Sequence, residues 1–121
     1  MKKNQSFFKR FKFAWDGIRV AFSNEASFRI QLVMGLGAIL LLLFARASSL
    51  WWGLFLLAIG GVLVTELMNT ALENLIDHIH PDYHPSIKIV KDCIAGAVLI
   101  FSFVALGILI AFLFQQFNSN F

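Results

Sequence analysis

The stretch TELMNTALENLID (residues 65–77) decides how this chain is read. It continues the uncharged run of residues 50–65 as an apolar helix, yet it holds Glu66, Asn69, Thr70, Glu73 and Asp77. At about 100° per residue these five side chains fall within an arc of roughly 100°, while Leu67, Met68, Leu72, Leu75 and Ile76 take the rest of the circumference. From Glu66 to Asp77 the helix rises about 16 Å, so the polar stripe runs from within a hydrocarbon layer to its aqueous border. An ionised acid at the bilayer centre costs about 2.5 to 3.5 kcal/mol on insertion scales, so such a group faces a bundle interior or a cavity and marks a function. A polar seam that glues helices would need only Asn69 and Thr70. Two glutamates seven residues apart repel one another unless protonated or bridged, and a divalent cation is one bridge. Carboxylate and amide oxygens with no thiolate pair favour Mg²⁺ over zinc. His78, His80 and His84 carry some zinc chemistry, but Pro81 interrupts the helix that would align them.

Outward from the stripe, the composition is that of a membrane protein: 121 residues, 59% hydrophobic, with a mean hydropathy of +0.76, too apolar for an ordinary soluble fold. Uncharged stretches cover residues 30–45, 50–65 and 93–120. The first borrows length from the long side chains of Arg29 and Arg46, and the second continues through the stripe. The expected architecture is a single all-α membrane domain with crossings at 28–46, 49–79 and 86–115. A cleaved leader is the alternative for the first crossing, but an arginine stands inside the would-be cleavage site and two further spans follow at once. The lone Cys93 excludes an internal disulfide.

Ahead of the first crossing, Phe7, Phe11, Trp15, Ile18 and Phe22 recur at spacings of three and four, with Lys9, Arg10, Lys12, Asp16 and Arg19 between them. That pattern predicts an amphipathic helix over 5–25, either packed on the bundle or lying in the membrane interface, and its basic polar face favours the interface. Residues 1–29 hold seven of the ten Lys and Arg (Lys2, Lys3, Lys9, Arg10, Lys12, Arg19, Arg29). This excess puts the N-terminus in the cytoplasm, the Arg46 turn outside and the segment 78–91 inside. Because the basic segment feeds directly into an apolar run, anionic headgroups are its partner and nucleic acid is not.

Carboxylates that hold Mg²⁺ beside Lys91 suit a nucleoside triphosphate. No G-x-x-x-x-G-K-[ST] loop or protein-kinase glycine loop exists, so a soluble nucleotide fold is excluded, and Gly60-Gly61 reads as a close helix contact. The rival from another class is a small non-catalytic transporter or channel subunit with Glu66 and Glu73 as an acidic relay.

Asn24-Glu25-Ala26-Ser27-Phe28-Arg29, then Glu66-Leu67-Met68-Asn69-Thr70-Ala71-Leu72-Glu73, then His84-Pro85 and Lys91-Asp92-Cys93-Ile94-Ala95-Gly96-Ala97-Val98, taken in order, closely resemble the bacterial integral-membrane diacylglycerol kinase family, which includes the undecaprenol kinases. The resemblance runs from about residue 11 to 106. It implies a homotrimer in the bacterial inner membrane that transfers the γ-phosphate of ATP·Mg²⁺ to a membrane lipid alcohol, diacylglycerol or undecaprenol. By the same resemblance Glu66 is the general base and Asn69 holds the reacting groups, while Glu25 and Glu73 are the Mg²⁺ ligands. Asp82, Tyr83, His84, Lys91 and Asp92 match the segments that grip ATP, and Trp15, Arg19, Phe28 and Arg29 match the lipid side. Gln31 stands where the Gram-negative type usually carries a glutamate and Phe13 where it carries a tyrosine. The run His84-Pro85-Ser86-Ile87-Lys88-Ile89-Val90-Lys91-Asp92 is closer to the undecaprenol kinase branch, so the lipid is left open.

Overall fold

The computed structural model describes residues 6–119 as four helices: α1 (Phe7–Asn24), α2 (Ala26–Ala45), α3 (Ser49–Ile79) and α4 (Pro85–Ser119). Lys2, Lys3, the first residue of the expected amphipathic segment and Asn120 lie outside the described residues. Three of the helices, α2, α3 and α4, are long and apolar enough to cross a membrane. The chain is therefore an all-α protein of the multi-pass membrane type.

Each connection has a local cause. Ser6 caps α1 by accepting from the Lys9 N–H at 3.4 Å. Glu25 alone, extended at φ −116° and ψ 108°, makes the corner between α1 and α2. Arg29 braces that corner, since its Nη1 donates to the carbonyls of Phe22 at 2.6 Å and Ser23 at 3.1 Å, two acceptors that the end of α1 leaves open. Between α2 and α3, Arg46 adopts the left-handed conformation (φ 53°, ψ 48°), and the N–H groups of Arg46 and Ala47 return to the carbonyls of Leu43 and Leu42. At the start of α4, Pro85 takes the first helical position and the ring of His84 accepts the Ser86 N–H at 3.1 Å.

The three long helices run antiparallel in sequence order. A side chain on Gly35 of α2 would meet Ile59 of α3 at 3.0 Å, and one on Gly61 of α3 would run into the Phe101 ring of α4 at 2.0 Å. Helices with little hydrophobic drive to associate inside lipid approach closely at such small residues. Gly60 has nothing within 4 Å, so only the second member of the Gly60-Gly61 pair makes the expected close contact.

Two ends of different character result. Near the Arg46 turn, Leu42, Phe55 and Phe112 form the buried core, with Phe55 and Phe112 edge to face at 5.3 Å and Trp51 on Phe112 at 5.2 Å. The Trp51 Nε1–H donates to Gln115 Oε1, so the indole spends its one polar group there. At the other end lie the α1–α2 corner and the stripe. Hydroxyls within the spans return to their own helices: Thr65 donates to the Val62 carbonyl at 2.8 Å and Ser102 to that of Val98 at 2.8 Å. The outward faces of α2 and α4 expose large apolar residues such as Val33, Phe44, Ile100 and Phe114, as a surface that meets lipid or another copy does. The stripe of α1 is also open, with Phe7 75% and Phe11 61% exposed, so it is not covered by this chain's own bundle.

Candidate active site

The site starts from Glu66. Residue 66 lies midway along α3, and the α2–α3 contact brings the start of α2 against it. Its side chain is 5% exposed, and Oε2 accepts from the Ser27 hydroxyl at 3.1 Å. A buried carboxylate left without a donor is costly, so this bond matters more than a surface one. One turn on, Thr70 is also buried, but its hydroxyl donates to the Glu66 backbone carbonyl at 3.0 Å and leaves the carboxylate alone. Asn74 continues the pattern by donating to the Thr70 carbonyl at 2.7 Å.

The rest of the stripe is graded by depth. Asn69 and Glu73 are half-buried, and Asp77 is exposed. Among the described residues the side chains of Asn69 and Glu73 have no hydrogen-bond or ion-pair partner, and neither does that of Glu25. Glu25 stands in the N-cap position of α2 without making a side-chain cap bond, so its carboxylate is not spent on the helix end. Ser27 is two residues further on, which ties the Glu25 corner to the level of Glu66. Among the described residues no three His, Cys, Asp or Glu side chains gather closely enough to enclose a metal ion. One or two unpaired carboxylates fit an ion that keeps its waters and completes its shell with phosphate oxygens, which is the habit of Mg²⁺.

Lys91 reaches the stripe from α4, donating to Asp77 Oδ1 at 2.9 Å. Its neighbour Asp92 turns instead to Lys88, at 2.6 Å one helical turn away. Asp82, Tyr83 and His84 lie in the exposed segment between α3 and α4. There the His80 ring packs edge to face on that of His84 at 5.9 Å, and His80 Nδ1 lies 3.0 Å from the Asp82 carbonyl. Because His84 Nδ1 accepts from Ser86, Nε2 is the nitrogen directed elsewhere.

The residues expected at the lipid side stand in different settings. Phe28 is 2% exposed within its own chain. Arg29 sits half-buried with its guanidinium bracing the α1–α2 corner, whereas Trp15 and Arg19 stand exposed on α1. Gln31 lies one turn beyond Ser27 on α2, away from the segment 80–92. It lines a cavity of about 180 Å³ between α2, α3 and α4 with Met34, Phe55, Val62 and Ser102. Ser27 itself was not singled out in the sequence. A hydroxyl two residues after Glu25 is a signal only when its partner 39 residues away is known.

Residues 12–113 match the family described as prokaryotic diacylglycerol kinase. The undecaprenol kinase of Bacillus subtilis is 34% identical over 106 residues, covering 86% of this chain and 86% of that protein. The diacylglycerol kinase of Escherichia coli K12 is 32% identical over 93 residues, 77% of this chain and 76% of its own length. That of Synechocystis is 35% identical over 96 residues; the match takes in 78% of this chain but 55% of the longer cyanobacterial protein.

Proposed function

The chain belongs to the prokaryotic diacylglycerol kinase family, and from that premise we propose that it is a lipid kinase that moves the γ-phosphoryl group of ATP to the hydroxyl of a membrane lipid alcohol. The observation that carries the reading is a carboxylate buried midway along a membrane-type helix and held by one donor. Glu66 accepts the proton of the lipid hydroxyl as its oxygen attacks the γ-phosphorus in line with the departing ADP oxygen. Asn69, one turn away and unpaired, orients the reacting groups. The half-buried Glu73 and the unspent Glu25 hold Mg²⁺, which when bound neutralises phosphate charge. Lys91 adds a cation at the same wall, exchanging Asp77 for phosphate oxygens. Asp82, Tyr83, His84 and Asp92 frame the nucleotide from the exposed end, while Trp15 and Arg19 on α1 stand at the lipid side.

The apolar stripe of α1, uncovered by its own bundle, supports a helix lying in the interface, with the N-terminus and the nucleotide site on the cytoplasmic side of a bacterial inner membrane. The open apolar faces of α2 and α4 support assembly with further copies, and a homotrimer is the state we assign. The rival reading, a transporter or channel subunit with an acidic relay, leaves Lys91 at the acid wall and the unspent Glu25 without a role.

Protein purified into lipid vesicles is expected to transfer label from radiolabelled ATP to diacylglycerol, to undecaprenol, or to both. Supplying the two side by side assigns the substrate, and no transfer to either would overturn the reading. In the same assay Glu66→Gln is expected to lose turnover with its oligomeric state unchanged. Wild-type rates in that variant would remove Glu66 as the base.

A further inference from the structure

Resting on the role given to Glu66, we propose that Ser27 is the positioning residue of the reaction: its hydroxyl holds one oxygen of the Glu66 carboxylate so that the other faces the lipid hydroxyl. Four observations lead there. First, Ser27 Oγ to Glu66 Oε2, at 3.1 Å, joins two helices, and it is the carboxylate's one hydrogen bond among the described residues. Second, the other hydroxyl near Glu66, that of Thr70, is committed to the Glu66 backbone carbonyl and cannot substitute. Third, Glu66 is 5% exposed whereas Ser27 is itself an exposed residue, so the bond is made at the edge where the buried acid meets the outside of the chain. Fourth, Ser27 is the second residue of α2, directly after the corner formed by Glu25 and braced by Arg29. Its place is thus fixed by backbone and not by a flexible loop.

The chemistry follows from the count of oxygens. A glutamate on a helix turns about its terminal bond with little resistance, because that torsion is broad. A single donor on Oε2 selects one orientation, and Oε1 then points away from Ser27 as the proton acceptor. The serine proton stays on Oγ throughout and no bond to it breaks; only the lipid O–H proton moves to Glu66. Ser27 therefore acts on the barrier through Glu66 and leaves nucleotide binding alone.

The test compares Ser27→Ala and Ser27→Thr with the parent in vesicles of fixed composition, with kcat and KM measured for MgATP and for the lipid alcohol. Ala is a good helix former, so the first change is mild for α2. Loss of one hydrogen bond to a charged group is expected to lower kcat about tenfold, with KM for MgATP unchanged, and the Thr variant, which keeps the hydroxyl, is expected to recover most of the loss. Wild-type kcat in Ser27→Ala would overturn the proposal, and so would an equal loss in the Thr variant or a loss confined to KM for MgATP. Glu66→Gln, run in parallel, separates the layers. If that variant is inactive while Ser27→Ala is normal, the base stands and only the positioning role falls. If Glu66→Gln is active, the function assigned to Glu66 itself has failed.

Discussion

At the scale of the residue, the site divides into groups that the fold already employs and groups that it leaves open. Glu66 is held by Ser27, and Arg29 by the end of α1, whereas the side chains of Glu25, Asn69 and Glu73 have no partner among the described residues. Lys91 belongs between the two sets. Its pair with Asp77 is exposed, 39% on the lysine side and 65% on the aspartate side, and pairs so placed are worth about 0 to 1 kcal/mol. Asp77→Asn is accordingly expected to cost less than about 1 kcal/mol in unfolding measured in detergent. Lys91→Met, by contrast, is expected to raise KM for MgATP with a smaller change in kcat, measured by steady-state kinetics. A Lys91→Met enzyme with unaltered KM would detach this residue from the nucleotide. The periodicity of residues 65–77 was enough to put Glu66, Thr70 and Glu73 on one wall, because a helix repeats its faces by geometry alone. Periodicity could not reveal that Phe28 on α2 is buried within its own chain. In a span that is apolar all round, burial depends on where the neighbouring helix stands.

At the scale of the element, the same limit separates Gly60 from Gly61. Both read as small residues for close packing, but only Gly61 faces α4, where a side chain would lie 2.0 Å from the Phe101 ring. Gly61→Ala is therefore expected to destabilise the protein by about 1 to 3 kcal/mol through overpacking, whereas Gly60→Ala, with nothing within 4 Å, is expected to be neutral or to stabilise by up to about 1 kcal/mol. Thermal unfolding of the two variants in one detergent decides the matter, and shortening the partner in Gly61→Ala/Phe101→Ala should return part of the loss. Helix ends were legible for α3, expected at 49–79 and found at Ser49–Ile79, and within one residue at Pro85, whereas the start of α2, expected at 28, was missed because Glu25 alone makes the corner. They were not legible after residue 115, where no glycine, proline or charge stops the chain and α4 runs on to Ser119.

At the scale of the whole molecule, three antiparallel spans put the α1–α2 corner and the α3–α4 connection at one end, and the Arg46 turn at the other. The basic excess of the first segment is the ground for the proposed placing of the former in the cytoplasm. With Cys93 replaced by serine, single cysteines at the exposed positions Ser6, Ser48 and Ser86 give a direct reading. In right-side-out spheroplasts an impermeant thiol reagent is expected to modify only the Ser48 position, and modification at Ser6 or Ser86 would reverse the orientation. The proposed orientation rests on the uneven charge along the chain, and that three helices are long and apolar enough to span could be read from its uncharged runs. Which helix faces meet could not, since α2 and α4 carry apolar residues on every side.

The lengths of the helices bear on how the enzyme sits in its host. α2 has 20 residues, a rise of about 30 Å, close to the thickness of a hydrocarbon core, and arginines stand near both of its ends at Arg29 and Arg46. α3 and α4, at 31 and 35 residues, are longer than that core requires. The short helix would thus work as a gauge of how deeply the protein floats, with the surplus of the long ones clear of the oily layer as a two-stemmed post. A host whose acyl tails are shorter or longer than the gauge would shift Glu66 relative to the headgroups, and under the role proposed for Glu66 tail length would then act on the reaction without any contact to the reacting atoms.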